Sequence, residues 1–200
     1  AATTDWGNGY NDVADYDIGD AVPFKIVASI PDMTGYNGYE FVITDTLSNG
    51  LTLAEDTLQV YVTAAKDTAL DALTPLSAGT DYTLATTDIG DASFTLTFEN
   101  MEENEDFTAS DDNYIIVTYT ATLNENAEIG LDGNPNEVDL TYSNDPNGKG
   151  KGKTPKDYVV VFTYELDGTK VDGKNTETKL KDAEFVLLNN AGTQVAKIDS

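Results

Sequence analysis

Gly133 to Pro146 reads GNPNEVDLTYSNDP. It opens in turn-forming residues and from Asn136 it alternates. Asn136, Val138, Leu140 and Tyr142 fall on one side of an extended chain, and Glu137, Asp139, Thr141 and Ser143 on the other. Successive side chains of a strand point to opposite faces, and the apolar face is the one that is buried. The pattern therefore predicts a strand that carries the Asn136 carboxamide into the core beside Val138 and Leu140. An amide buried without partners costs a few kcal/mol. Asn136 is thus either a satisfied polar group or a group placed to react.

Working outward, Tyr39–Leu47 (YEFVITDTL) shows the same anomaly. Tyr39, Phe41, Ile43, Asp45 and Leu47 share a face, so a carboxyl lies in phase with core residues. A buried Asp without a cation is pushed towards its neutral form. Ala21–Ile30 alternates as a strand with Val22, Phe24, Ile26, Ala28 and Ile30 inward. Lys25 then faces outward, and Pro23 marks an edge position. Further strands are predicted at 58–63, 80–85, 93–99 and 114–123, the last β-branched and central, with one helical turn in KDTALDAL (66–73). Short strands between Gly/Asn/Asp turns, with little helix, predict an all-β, immunoglobulin-like sandwich. Trp6, the single Trp, is expected to cap its core.

Composition removes whole classes of function. The 200 residues carry 11 Lys, 36 acidic residues and no His, for a net charge of −25. Nucleic acid and anionic membrane surfaces need cationic patches, so neither is expected as a partner. Without Cys or His there is no thiol nucleophile, Ser-His-Asp triad, disulfide or N/S-ligated zinc site. Asp15, Asp17 and Asp20 loosely suggest a Ca²⁺ loop, but the spacing lacks the closing Glu, and a solvated acidic loop is the better reading. No cofactor and no metal is expected. No apolar run reaches membrane-spanning length. The start AATTDW reads as a mature protein or an excised piece, and the Thr/Asp/Asn/Tyr-rich, Cys-free composition suits an extracellular surface protein.

The organisation expected is one sandwich domain over 1–148, a Lys/Gly linker over 149–156, and the first part of a second β-domain over 157–200. In Asn147–Lys156 (NGKGKGKTPK), Gly spacers and Pro155 suggest an exposed crossover. Beyond it Tyr158, Val160, Phe162, Tyr164 and Leu166 are taken as the apolar face, with Lys170 in phase. Some 45 residues of β-structure bury too little surface to be robust alone.

Several segments, in order, resemble the isopeptide-forming fimbrial domain of Gram-positive sortase-assembled backbone pilins. They are Tyr16-Asp17-Ile18-Gly19-Asp20 with Val22-Pro23-Phe24, then Phe41-Val42-Ile43-Thr44-Asp45-Thr46-Leu47-Ser48-Asn49-Gly50, Ala121-Thr122-Leu123-Asn124, and Asn136 to Pro146. Thr163-Tyr164, Lys170-Val171-Asp172 and Ala183-Glu184-Phe185 resemble the opening of a collagen-adhesin B/SpaA-type domain. In such domains a Lys amine attacks an Asn side chain, ammonia leaves, and an acid assists. The resemblance implies Asn136 as acceptor and Asp45 as the acid, a neutral carboxyl donating to the Asn oxygen. It places the reactive Lys on a first strand upstream of Ala1, with Lys25 as the fallback within the chain. Lys170 corresponds to the Lys of the second domain, with partners beyond Ser200. The implied protein is a structural shaft subunit of a covalent cell-wall fimbria, joined to other pilin subunits by sortase. At most it modifies itself once and is not a turnover enzyme. The alternative is an adhesin module presenting Tyr10, Tyr16, Tyr36 and Tyr39 to a host protein or glycan. A two-carboxylate glycosidase has no particular acid pair to support it.

Overall fold

Alternating β-branched and aromatic residues give short strands here, and Gly, Asn and Asp punctuate them. The computed structural model describes residues 2–3, 10–108, 114–165, 168–181, 185–188 and 191–198. Trp6, Leu166, Ala183 and Glu184 lie outside the described residues. The strands are β1 (Ala2–Thr3), β2 (Tyr10–Asn11), β3 (Val13–Asp15), β4 (Ala21–Ser29), β5 (Phe41–Leu47), β6 (Leu51–Thr63), β7 (Thr83–Ala85), β8 (Phe94–Phe98), β9 (Tyr114–Leu123), β10 (Asn134–Ser143), β11 (Lys151–Lys153), β12 (Asp157–Phe162), β13 (Phe185–Leu188) and β14 (Gln194–Ile198). The chain divides into two units, Ala1–Tyr164 and Glu165–Ser200.

The first unit is the expected all-β sandwich. One sheet runs β2-β1-β4-β9-β6, so the β-branched β9 is internal; the other runs β3-β12-β10-β5-β8-β7, with β11 also on β10. Phe24, Ile43, Phe94, Leu96, Phe98, Ile115, Val117 and Leu123 fill the space between them and are buried almost completely. Each such side chain contributes roughly 1.5–3 kcal/mol through apolar burial. The strand predicted at 58–63 is the second half of a longer one, β6, whose register against β9 slips between Ala54 and Gln59. The helical turn at 66–73 shrinks to a single 3₁₀ turn at Leu70–Ala72.

The domain boundaries need correcting. Residues 149–156 are not a free linker, and 157–162 does not open the second unit. Strand β11 pairs with β10 (Thr141↔Lys153 to Ser143↔Lys151), and β12 pairs with the earlier half of the same edge (Asn134↔Val161 to Val138↔Asp157). The lysines hold this return against an acidic sheet. Lys151 meets Glu40 at 2.8 Å, Lys153 meets Asp139 at 3.0 Å, and Lys156 pairs with Glu137. Asp139 and Ser143, expected on the solvent face, are consequently buried. Lys153→Ala leaves the Asp139 carboxylate buried without its cation. With Lys153 itself more than half exposed, the expected loss is about 1–2 kcal/mol, read as a lowered urea midpoint.

The inward face of β12 is also the reverse of the one expected. Because Val159 and Val161 lie opposite Asn136 and Asn134, they point into the core with Thr163, while Tyr158 and Tyr164 are 51% and 61% exposed. DYVVVFTY is apolar on both faces, so alternation alone could not choose. Gly133 fixes the entry to β10. Its φ is +62°, and a Cβ there would lie 2.5 Å from Val160 Cγ1 and 2.8 Å from Phe162 Cε1. Gly133→Ala combines left-handed strain with that overlap. A loss of about 2–3 kcal/mol is expected, with earlier hydrogen exchange in β12 than in β9.

In the second unit β13 and β14 form an antiparallel hairpin, and Val171 bridges Lys179. Two strands enclose no core. Lys170 is accordingly exposed, not inward-facing as expected, and its carbonyl accepts from the Leu180 amide at 2.8 Å. Among the described residues, no helix is long and apolar enough to cross a membrane.

Candidate functional site

Strands β5 and β10 pair antiparallel with Val138 opposite Asp45 and Asn136 opposite Leu47. Asp45 and Asn136 are therefore diagonal neighbours on one inward face. The two residues singled out by sequence are brought together. Asn136 Nδ2 donates to Asp45 Oδ2 at 3.1 Å. A third group comes from the opposite sheet. Tyr119 of β9 donates its hydroxyl to Asp45 Oδ2 at 3.0 Å and accepts from Asn136 Nδ2 at 2.8 Å. The Tyr119 ring is stacked on Phe24 (centroids 5.2 Å apart) and meets the Phe94 ring edge-on at 5.1 Å. Asp45, Tyr119 and Asn136 are 0%, 2% and 5% exposed.

Burial dominates the electrostatics. It pushes the Asp45 carboxyl up to about 7, against the hydrogen bonds from Asn136 and Tyr119, which favour the ionised form. Burial and the neighbouring Asp45 charge drive Tyr119 well above the ordinary phenol value. The hydrogen bonding differs from the arrangement expected, in which the acid donates to the Asn oxygen. The Asn136 nitrogen, the group that leaves on attack at Cγ, lies on Asp45. Asn136 Oδ1 and Asp45 Oδ1 are buried acceptors with no hydrogen-bond partner. Each such atom costs on the order of 1–3 kcal/mol. A donor-rich group such as an amine would satisfy both.

Sequence reasoning missed Tyr119. The usable signal was its phase: it lies in step with Ile115, Val117, Ala121 and Leu123 on an internal strand. A buried phenol normally finds a hydrogen-bond partner, and two unexplained polar groups stood on inward faces.

Lys25 is not brought to this cluster. Paired with Thr118, it lies on the outer face of β4; its Nζ donates to the Lys66 carbonyl at 3.0 Å and sits 5.8 Å from the Tyr10 ring centroid. The inward neighbours of Lys25 are Phe24 and Ile26. The Asp15/Asp17/Asp20 loop closes on itself, with Asp20 Oδ2 accepting from the Asp17 amide. No group of three acidic residues placed to hold a metal ion occurs among the described residues. The four tyrosines considered as a ligand surface have different environments. Tyr39 is buried and packs on Tyr36, whereas Tyr10 lies over Lys25.

A cleft of about 390 Å³ opens between the sheets beside β4, and Asn136 and Tyr119 line it together with Phe24, Ile26, Ala28 and Val138. Among the described residues, strand β1 is registered on β4 through Ala2↔Phe24.

Residues 18–146 match the family model described as Gram-positive pilin backbone subunit 2, Cna-B-like domain. This chain belongs to that family. The matched span of this pilin contains Asp45, Tyr119 and Asn136. It is 36% identical over 69 residues to the trypsin-resistant surface T6 protein of Streptococcus pyogenes serotype M6, covering 28% of the chain and 13% of that protein. Its fold is similar to that of the T6 backbone pilin of S. pyogenes, with TM-score 0.59, 21% identity, and coverage of 90% of this chain and 39% of that one. The group B streptococcus pilus 2b backbone protein gives TM-score 0.59, 25% identity, and coverage of 90% and 65%. BcpA, the major pilin subunit of Bacillus cereus, gives TM-score 0.59, 22% identity, and coverage of 95% and 48%. The pilin described here thus spans less than two thirds of each of these relatives.

Proposed function

We propose that the first unit is a shaft domain of a cell-surface pilus, joined to further pilin subunits, in which Asn136 accepts a Lys amine to form a buried amide, with Asp45 as the assisting acid. The observation that carries this reading is the pair of partnerless acceptors, Asp45 Oδ1 and Asn136 Oδ1, on two contacting buried groups. Packing alone gives no reason for them; an incoming amine does. Burial keeps such an amine neutral and nucleophilic, and the fixed sandwich supplies a high effective concentration. The change happens once per chain and needs no cofactor.

The amine enters, in this reading, on a strand that continues β1 along β4 above the cleft. An antiparallel extension of β1 backwards from Ala2↔Phe24 runs past Lys25 to Ser29. Positions opposite Ile26 and Ala28 then share the inward phase of Phe24. A Lys at one of them faces Asn136 and Tyr119 across the cleft. Lys25, on the other phase, does not.

Intact mass tests the proposal. The full-length protein is expected to be lighter than its sequence by one ammonia for this domain, with the cross-linked peptide containing Asn136. A full mass in the full-length protein, with Asn136 recovered as an unmodified peptide, overturns it.

A further inference from the structure

Tyr119 is the one member of the buried cluster contributed by the opposite sheet, and its hydroxyl touches both other members. Its O–H points at Asp45 Oδ2 (3.0 Å), so its lone pairs face the Asn136 nitrogen (2.8 Å). Asp45 Oδ2 receives the second hydrogen of the same nitrogen (3.1 Å). Both N–H bonds of the amide are therefore held, and the amide plane is fixed. Without the phenol, one N–H would be unheld and the amide could turn its oxygen to Asp45. The ring cannot swing away, because Phe24 stacks on it and Phe94 abuts it.

We propose that the Tyr119 hydroxyl is a catalytic group of the amide-forming reaction, holding Asn136 with its leaving nitrogen on Asp45 Oδ2 while Asp45 Oδ1 stays open to the incoming amine. This rests on the reading that Asn136 accepts a Lys. The Lys Nζ–Asn136 Cγ bond forms as the carbonyl electron pair moves to Asn136 Oδ1. The attacking nitrogen gives a proton to Asp45 Oδ1, and the neutral carboxyl gives its own proton to Nδ2. The carbonyl reforms, the Cγ–Nδ2 bond breaks and ammonia leaves, with Asp45 again carrying one proton. The proton passes through the Asp45 carboxyl from the attacking nitrogen to the leaving one, which the Tyr119 hydrogen bond helps to hold against Oδ2.

The alkaline limb of such a reaction is set by loss of the Asp45 proton. On its own sheet Asp45 is flanked by Phe94 and Val138, and across the core it meets Tyr119, the titratable group that contacts it among the described residues. The Tyr119 hydrogen bond favours ionised Asp45. Removing it shifts the alkaline limb to higher pH, and strengthening it shifts the limb lower.

The test follows loss of ammonia by intact mass as full-length protein recovered unlinked from inclusion bodies is folded for the first time, from mildly acidic to alkaline pH. Tyr119→Phe keeps the ring and is expected to close the bond about ten- to a hundred-fold more slowly, with the alkaline limb moved up. Phe24→Leu, which removes the stacked ring and keeps the hydroxyl, is expected to leave the limb in place. Substitution of 3-fluorotyrosine at 119 is nearly isosteric, so it reports even if Tyr119→Phe does not fold; its more acidic hydroxyl is expected to move the limb down. Unchanged rate and limb in Tyr119→Phe, or an unmoved limb with 3-fluorotyrosine, overturns the role of Tyr119 while the cross-link stands. A wild-type protein that keeps its full mass removes the underlying reaction as well.

Discussion

Asp45→Ala in the full-length pilin is expected to leave the sequence-predicted mass intact, with Asn136 still a free carboxamide. Among the described residues Asp45 is the only proton carrier in contact with the Asn136 nitrogen whose affinity for a proton lies near neutrality, since Tyr119 is driven far above its ordinary range. Proton transfer by a positioned side chain is worth roughly 10²- to 10⁴-fold in rate. Closure in the variant is then expected to be slower than in the wild type by that factor. The loss has a second, mechanical reading. In the proposed arrangement, an amide from a strand continuing β1 along β4 to β10 would join the two sheets of the sandwich, and both sheets would stay together while it held. By analogy with a disulfide closing a long loop, its absence lowers stability by roughly 3–5 kcal/mol. Chemical denaturation measures that difference, and trypsin digestion of the unlinked protein should proceed through local opening. Since Asp45→Ala also removes two hydrogen bonds, Asn136→Ala serves as the reference: both variants lack the bond, and the difference between them reports the pocket alone. Rapid ammonia loss in Asp45→Ala would falsify the assignment of the acid.

The polar pair was legible because its strands alternate cleanly. In FVITDTL and NEVDLTY, one phase is plainly apolar, so a polar residue in that phase stands out. The same logic fails where both phases are apolar. Val159 sits in DYVVVFTY, and there the inward face is set by pairing with a partner strand, which is information held elsewhere in the chain. In YIIVTYTATL the inward phase of Tyr119 was readable, but the partners of its hydroxyl lie on the opposite sheet. The return strand β11 was hidden for a different reason. KGK has neither apolar residues nor β-propensity, and it becomes a strand because β10 offers an edge and Glu40 and Asp139 offer charges. Its Gly152 also leaves room that a side chain would take, since a Cβ there would lie 2.6 Å from the Tyr142 ring. Local sequence reads such a segment as a linker, and long-range pairing overrides it.

Asp45→Asn is expected to make the 200-residue chain more stable at alkaline pH and to change it little in acid. Burial raises the carboxyl from 3.8 to about 7 in the folded protein. Between those values the folded state holds a proton that the unfolded chain has released, so stability falls as pH rises. The contribution is complete below about pH 4, declines through the interval, and is lost above about pH 7. At about 1.4 kcal/mol per pH unit, the span amounts to on the order of 4 kcal/mol. Other carboxylates in a chain of net charge −25 also titrate, so the quantity to measure is the difference between the wild-type and Asp45→Asn urea stabilities at each pH. That difference should be near zero at pH 4, grow through pH 5 and 6, and level off above pH 7. The substitution keeps an acceptor for the Tyr119 hydroxyl and for the Asn136 N–H that points at it, so packing and hydrogen bonding stay close to wild type. A difference that is flat with pH would mean that Asp45 is not held neutral by burial, and the proton shuttle would lose its basis. A difference that grows as expected carries a further consequence. At neutral pH the carboxyl then costs stability that an isosteric amide would restore, so its presence at the centre of the sandwich is explained by the proton it carries and not by the packing it provides.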